Sequence, residues 1–371
     1  MTDPTPLEIA SAVEVLMRNP GKVPSKLLLQ MIKSKLPRSE IYSAFPIKDE
    51  RSWRFYCLQE AADWSAKSLE WKEDRKQFPS LPARYQQLFL QLFGIFSPLD
   101  GAVSANVLRL ACEAPTYNAM MFLIMQMKIE LTHSEAYGQA AMSVPISESH
   151  KREVFEFVDK QICVQHKTNF IEKYIESDES WALRSVAAAC SEGIFFVSLF
   201  SIIFYFRNKG ILKTFVEMNS YVMKDETLHR GFYCSEANVH LKPEEYEKAK
   251  SIISESVEIE LEMIRFLLKE PIDSIEADTS AGLTIENLEN YVRGLGDQIS
   301  ELCGMSKIYN VSYEPPWCQD MVLNQKQNFY EVKDGTYKKF DPEVGMDWER
   351  RAGLVNDVET NITERPEEID F

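Results

Sequence analysis

The chain has 371 residues, 45% of them hydrophobic, with only 14 glycines and 17 prolines. That is enough apolar sequence to bury a sizeable core in one large domain or two small ones, and the scarcity of turn residues favours an all-helical protein. A net charge of −16, with no basic cluster interleaved with aromatics, argues against a nucleic-acid-binding surface.

Residues 1 to about 45 read as a peripheral N-terminal extension. It carries a short amphipathic helix at "PLEIASAVEVLMRN", ended by Pro20 and Gly21. No basic start followed by an apolar run opens the chain, so this segment is not read as a signal peptide. From "FPIKDERSW" onward the pattern becomes continuously helical. Helices are expected near 50–72, 82–110, 115–143, 150–174, 178–208, 212–240, 243–269 and 285–304. The breaks fall at "FPSLP", "VPIS", "ESDES", "NKG", "LKPEE" and "EPIDS", rich in residues that satisfy or stop helix ends.

Two places along this run carry specific expectations. Pro98 lies inside the second helix, where proline removes a donor and crowds the carbonyl four residues back, that of Gly94; a local kink or bulge is predicted. The stretch "GIFFVSLFSIIFYF", residues 193–206, mimics a membrane span. It is bounded by Glu192 and Arg207 and too short to cross a bilayer, so it is expected to be a buried core helix, with no membrane association.

Beyond about residue 310 helical periodicity fades. The expected organisation is an extension over 1–45, a helical domain over 46–310 and an irregular, acidic segment over 311–371. The seven cysteines are scattered, odd in number and form no Cys-x-x-Cys pair. That favours reduced thiols in a cytoplasmic protein over disulfides or a zinc site.

The chemistry lies in a recurring spacing. Two of the five histidines sit in Glu-x-x-His pairs on apolar helices, Glu130 with His133 and Glu226 with His229. Residues three apart share a helix face, so each pair can grip one ion. A surface ion pair or a satisfied core histidine would explain either pair alone. Asp100 and Glu192 are lone carboxylates in sequence that otherwise reads as buried, and such an acid must protonate or find a cation.

In chain order these residues run acid, Glu-x-x-His, acid, Glu-x-x-His, one unit per helix. A four-helix bundle builds a two-metal carboxylate site from that set. Two divalent cations would cancel the charge of four carboxylates, and oxygen-rich ligands with imidazole suit iron or manganese. Tyr137 shares the face of Glu130 and His133 and so points toward the proposed metals, where a redox role competes with simple packing. Phe196 and Phe200 follow Glu192 on its face, and Val222 precedes Glu226; these three could form a dry pocket around an oxidised tyrosine.

The sequence resembles the small, radical-generating subunit of class I ribonucleotide reductase. The matching stretches are "FPI…W…EAADWSA", "SPLDGAV", "IELTHSEAY", "SEGIFF", "KDETLH" and "NFYEVKDGTY", in the family's order, over about residues 45 to 340. The resemblance implies a ferritin-like helical bundle with extra helices and a C-terminal tail. It implies two iron ions, or manganese, held by Asp100, Glu130, His133, Glu192, Glu226 and His229, with dioxygen activated there to form a tyrosyl radical on Tyr137. It further implies radical transfer through Trp64, Asp225 and Tyr337, with Asp225 hydrogen-bonded to the ring of His133. The large subunit, which reduces ribonucleotides to deoxyribonucleotides, would dock on the C-terminal tail ending in "EEIDF", and a homodimer, or a heterodimer, is the expected assembly. Lys224 stands where the family usually has arginine. Another ferritin-like oxidase or desaturase, or a non-catalytic partner subunit, are the competing readings. The first would not need Trp64, Asp225 or a tail tyrosine; the second would be supported by lost ligands, and none is lost.

Overall fold

The computed structural model describes residues 44–145, 147–272 and 282–318. The helix expected near the N-terminus and the tail beyond residue 318 lie outside the described residues. Among the described residues there is no strand.

Four helical rods form a closed ring. They are α3 (Ala83–Glu113), α4 (Tyr117–Ser143), the rod α7 (Trp181–Cys190) with α8 (Val197–Tyr205), and α9 (Lys213–His240). α3 packs on α4, α4 on α9, α9 on α7, and α7 on α3. The remaining helices lean on this ring. α1 (Glu50–Ala61) packs on α4 and α9, while α5 (Glu148–Lys160) and α6 (Ile162–Glu176) pack on α3. α10 (Tyr246–Leu267) packs against α6, α7 and α11 (Ile285–Leu302). A short α2 (Lys72–Gln77) touches α9.

Local sequence sets most of the helix starts. Asp49, Thr116, Ser147, Ser180 and Thr284 each accept a backbone N–H from the first turn of α1, α4, α5, α7 and α11. α9 is different. The residue before it, Leu212, has φ 45° and gives no side-chain cap. Asp74 of α2 supplies the cap from a distance, its Oδ1 accepting Thr214 N–H at 3.1 Å and its Oδ2 accepting Phe215 N–H at 2.8 Å. Gln77 completes the joint by accepting Leu212 N–H and donating to the Gly210 carbonyl.

Three expectations are corrected. The helix expected over 50–72 stops at Ala61, which frees the following segment to fold Trp64 back toward α9. The helix expected over 150–174 divides at Gln161, whose backbone is extended at φ −110° and ψ 113° with no proline or glycine to announce it. No bulge interrupts α3 at Pro98; the α-helix is unbroken from Ala83 to Glu113. One missing donor costs a single rung, and a helix gripped by α4, α5 and α6 keeps the rest. Gly94 serves that grip, because a Cβ there would lie 2.8 Å from Phe157 Cβ and 2.9 Å from the Val154 carbonyl of α5.

The irregular turn lies in the third rod instead. Ser191–Phe196, between α7 and α8, is a π-helical turn. Together Trp181–Tyr205 is long and apolar enough to cross a membrane by length and composition, as is Ala83–Glu113. The most apolar window of Trp181–Tyr205 is wholly buried inside the protein, so it is a core rod.

Because Asp74 caps the helix that carries Glu226 and His229, Asp74→Ala is expected to lower stability by about 1–2 kcal/mol. Asp74→Asn, which keeps an acceptor, is expected to cost less; urea unfolding of both variants measures the difference.

Candidate metal centre

Each rod of the ring contributes to one buried cluster: Asp100 from α3, Glu130 and His133 from α4, Glu192 from the π-turn, and Glu226 and His229 from α9. All six side chains are buried. Their donor atoms fall into two overlapping groups that could hold a metal ion, Asp100 with Glu130 and His133, and Glu130 with Glu192, Glu226 and His229. Glu130 is common to both. Glu226 also leans toward the first group, its Oε1 lying 3.2 Å from His133 Nδ1.

A protein-only account of these side chains leaves donors over. Both oxygens of Asp100, Oε2 of Glu130, Nδ1 of His133, Oε2 of Glu192 and Oε1 of Glu226 are buried without a hydrogen-bond partner. His229 turns Nδ1 toward the carboxylates, 2.9 Å from Glu226 Oε2 and 3.2 Å from Glu130 Oε1, and leaves its Nε2 unpartnered. Orphaned buried acceptors are costly. Carboxylate oxygens and imidazole nitrogens in two groups sharing a carboxylate are a donor set that fits two divalent cations.

The electrostatics divide the cluster. Burial pushes the Asp100 and Glu192 carboxyls well above the usual carboxylate range, with Glu226 and Glu130 adding to the effect. Burial opposes charge on Glu226 too, but His229 and His133 beside it hold its carboxyl below the ordinary value. The same contacts, against burial, raise His229 to about 9 and His133 well above its usual range, the latter chiefly through Asp225. Cations entering the cluster would displace these protons, since ligands bind deprotonated.

A layer of hydrogen bonds orients the cluster from outside. Asp225 Oδ2 faces His133 Nε2 at 3.0 Å and accepts the Trp64 indole N–H at 2.8 Å; Asp225 Oδ1 accepts from Gln59 at 2.7 Å. This leaves Nδ1 of His133 for the cluster. Trp64, half-buried, stacks on His133 and tilts against Tyr221. On another side, Gln126 Nε2 donates to Glu130 at 3.1 Å and to Glu192 at 2.8 Å, while its carbonyl accepts the hydroxyl of the buried Tyr233.

Tyr137 is fully buried, and its hydroxyl donates to Asn219 Oδ1 at 2.8 Å. Burial first, then the carboxylates of Asp100, Glu226 and Glu130, push its phenol well above the ordinary range. The ring that faces it is Phe96, stacked at 4.6 Å between centroids. Phe196 and Phe200 lie behind Phe96, at 6.0 and 5.6 Å, and Val222 is buried on α9. Tyr337 lies outside the described residues.

Sequence reasoning missed Phe96, Gln126, Asn219, Tyr233 and Gln59. Four of these carried a signal, a helical spacing from a ligand-type residue: Phe96 and Gln126 one turn before Asp100 and Glu130, Tyr233 one turn after His229, Asn219 two turns before Glu226. Gln59 reaches Asp225 across 166 residues of sequence and carried none.

Comparison with known proteins agrees with this geometry. Residues 41–316 match the family model described as "Ribonucleotide reductase, small chain". The ribonucleoside-diphosphate reductase small chain of Variola virus is 29% identical over 296 residues, covering 80% of this chain and 90% of that one. The small chain from Nicotiana tabacum is 27% identical over 299 residues, covering 80% and 88%. Among solved structures, the ribonucleotide reductase Rnr4 homodimer from Saccharomyces cerevisiae matches with a TM-score of 0.66 at 21% identity, covering 85% of this chain and 99% of that one. A putative class I ribonucleotide reductase from Bacillus halodurans matches at 0.65 and 20% identity, covering 73% and 99%. The structures share the fold, and the family match spans most of the chain. The chain belongs to the ribonucleotide reductase small-chain family and is the small subunit of a ribonucleoside-diphosphate reductase.

Proposed function

We propose that Asp100, Glu130, His133, Glu192, Glu226 and His229 hold two iron ions, and that Tyr137 stores a radical for use by the large subunit. The observation that carries this reading is the set of buried, unpartnered donor atoms arranged in two groups about Glu130. Four carboxylates balance two divalent ions in charge, and the mixed oxygen and nitrogen donors suit iron or manganese. When bound, the ions would supply the one-electron oxidising power that dioxygen makes available.

The chain's own residues do the rest. Burial and nearby carboxylates disfavour the Tyr137 phenolate, so it rests as the neutral phenol, and its oxidation would pass the electron, and the proton with it, to the dioxygen-oxidised metal site. Asn219 fixes the hydroxyl; its Nδ2 donates to the Phe215 carbonyl at 2.7 Å, which turns its Oδ1 toward the phenol. Phe96, backed by Phe196 and Phe200, covers the ring and excludes water. Trp64 and Asp225 offer a hydrogen-bonded path from His133 toward the surface. Tyr337 would continue that path and the "EEIDF" terminus would dock the large subunit.

A homodimer suits the exposed apolar face of α4. Ile124, Leu131 and Met142 are each at least half exposed and lie along one side of that helix. All seven cysteines are buried and unpaired, which suits a reducing compartment such as the cytoplasm.

Aerobic iron loading followed by electron paramagnetic resonance is expected to give a tyrosyl signal in the wild type and none in Tyr137→Phe. A signal that persists in the variant would refute the assignment. Ferrous or manganous ion is expected to raise the melting temperature of the apo protein, a gain of about 2.7 kcal/mol per site at a hundredfold excess over Kd. Glu130→Ala, which removes the residue common to both groups, should abolish most of that rise. Leu131→Asp is expected to shift sedimentation from dimer toward monomer.

A further inference from the structure

Lys167 of α6 and Glu260 of α10 form a buried charge pair outside the metal cluster, with Nζ 2.6 Å from Oε2 and both side chains fully buried. Burial lowers the ammonium and raises the carboxyl from their ordinary values. Apolar replacement of such a pair is often neutral or stabilising, so stability gives no account of it.

Its position does. Lys167 Nζ donates to the Phe195 carbonyl at 3.2 Å and sits 5.2 Å from the centroid of the Phe195 ring. Glu260 Oε1 accepts the Ser198 hydroxyl. Phe195 lies inside the π-turn Ser191–Phe196, and Ser198 stands just beyond it. Lys167, reaching in from one flanking helix, therefore grips the turn, while Glu260 from the other holds Ser198 at its exit.

A π-turn carries one residue more than an α-helical ladder accommodates. Closing it to α-helix would rotate one side of the rod against the other by about 100°. Glu192 is the second residue of the turn, so its aim into the cluster depends on the turn staying open.

We infer that Lys167 is a positioning residue that holds the π-turn open and so aims Glu192 at the metal site. This rests on the proposed reading of Glu192 as a ligand and deepens it. The consequence is unequal for the two ions. Glu192 belongs to the group with Glu130, Glu226 and His229 and not to the group with Asp100, Glu130 and His133. Loss of the clamp should loosen one ion and spare the other.

The test is an anaerobic titration of the full-length apo protein with ferrous ion, followed by calorimetry. Lys167→Met removes the donor to Phe195, whereas Glu260→Gln breaks the ion pair but leaves Lys167 on the turn. Lys167→Met is expected to bind one ion as the wild type does and the other at least about tenfold more weakly. Glu260→Gln is expected to retain both affinities. Should Lys167→Met fold poorly, the double replacement Lys167→Met with Glu260→Met leaves no unpaired charge and carries the same expectation. Equal loss in Lys167→Met and Glu260→Gln, uniform weakening of both ions, or unchanged binding in Lys167→Met would overturn the inference. Fewer than two ions in the wild type would instead overturn the metal reading beneath it.

Discussion

Four carboxylates converge in one dry core, and that concentration of negative charge is the constraint to which the surrounding structure answers. Without compensation it forces a compromise, with Asp100 and Glu192 driven toward their protonated forms and Glu130 and Glu226 leaning on two imidazoles. Such an arrangement is poor as a structural core, where hydrophobic side chains of similar volume would serve better. It becomes reasonable once cations share the site. The helical ring delivers acids from all four rods to a single level.

Orientation comes from outside the cluster. His133 is set by Asp225, Glu130 and Glu192 by Gln126, and Gln126 by Tyr233. The π-turn adds a backbone device to these side-chain ones. Gly193 belongs to the same device, because a Cβ there would fall 2.4 Å from Cδ of Arg230, the neighbour of His229. Two rods that carry residues of the cluster can approach at this point because one of them lacks a side chain.

Much of this was legible in the sequence, for a physical reason. Side chains on helices obey helical spacing, and the Glu-x-x-His pairs and lone acids that converge in the cluster stood out against apolar surroundings. The four core rods followed from apolar periodicity in the same way. Residues that carry no signal of their own act through tertiary reach. Asp74 caps α9 from 140 residues away, and Gln59 finds Asp225 only because α1 lies across α4 and α9. The π-turn was illegible because "SEGIFF" has the composition of an ordinary buried helix. Pro98 misled in the opposite sense, since local chemistry pointed to a bulge that tertiary packing suppressed.

The contact between Tyr137 and Asn219 carries a consequence for how long an oxidised tyrosine could last. A carboxamide oxygen accepts a hydrogen bond but is too weak a base to keep the proton, and the Asn219 amide nitrogen turns away from the phenol to donate to the Phe215 carbonyl. The other partners described around the ring are phenyl groups, which offer no exchangeable hydrogen. Neither Asn219 nor the phenyl groups beside the ring would therefore return a hydrogen atom lost from this phenol. Persistence of an oxidised state there would be a matter of scarcity rather than of bonding, with repair waiting on hydrogen from beyond these immediate neighbours.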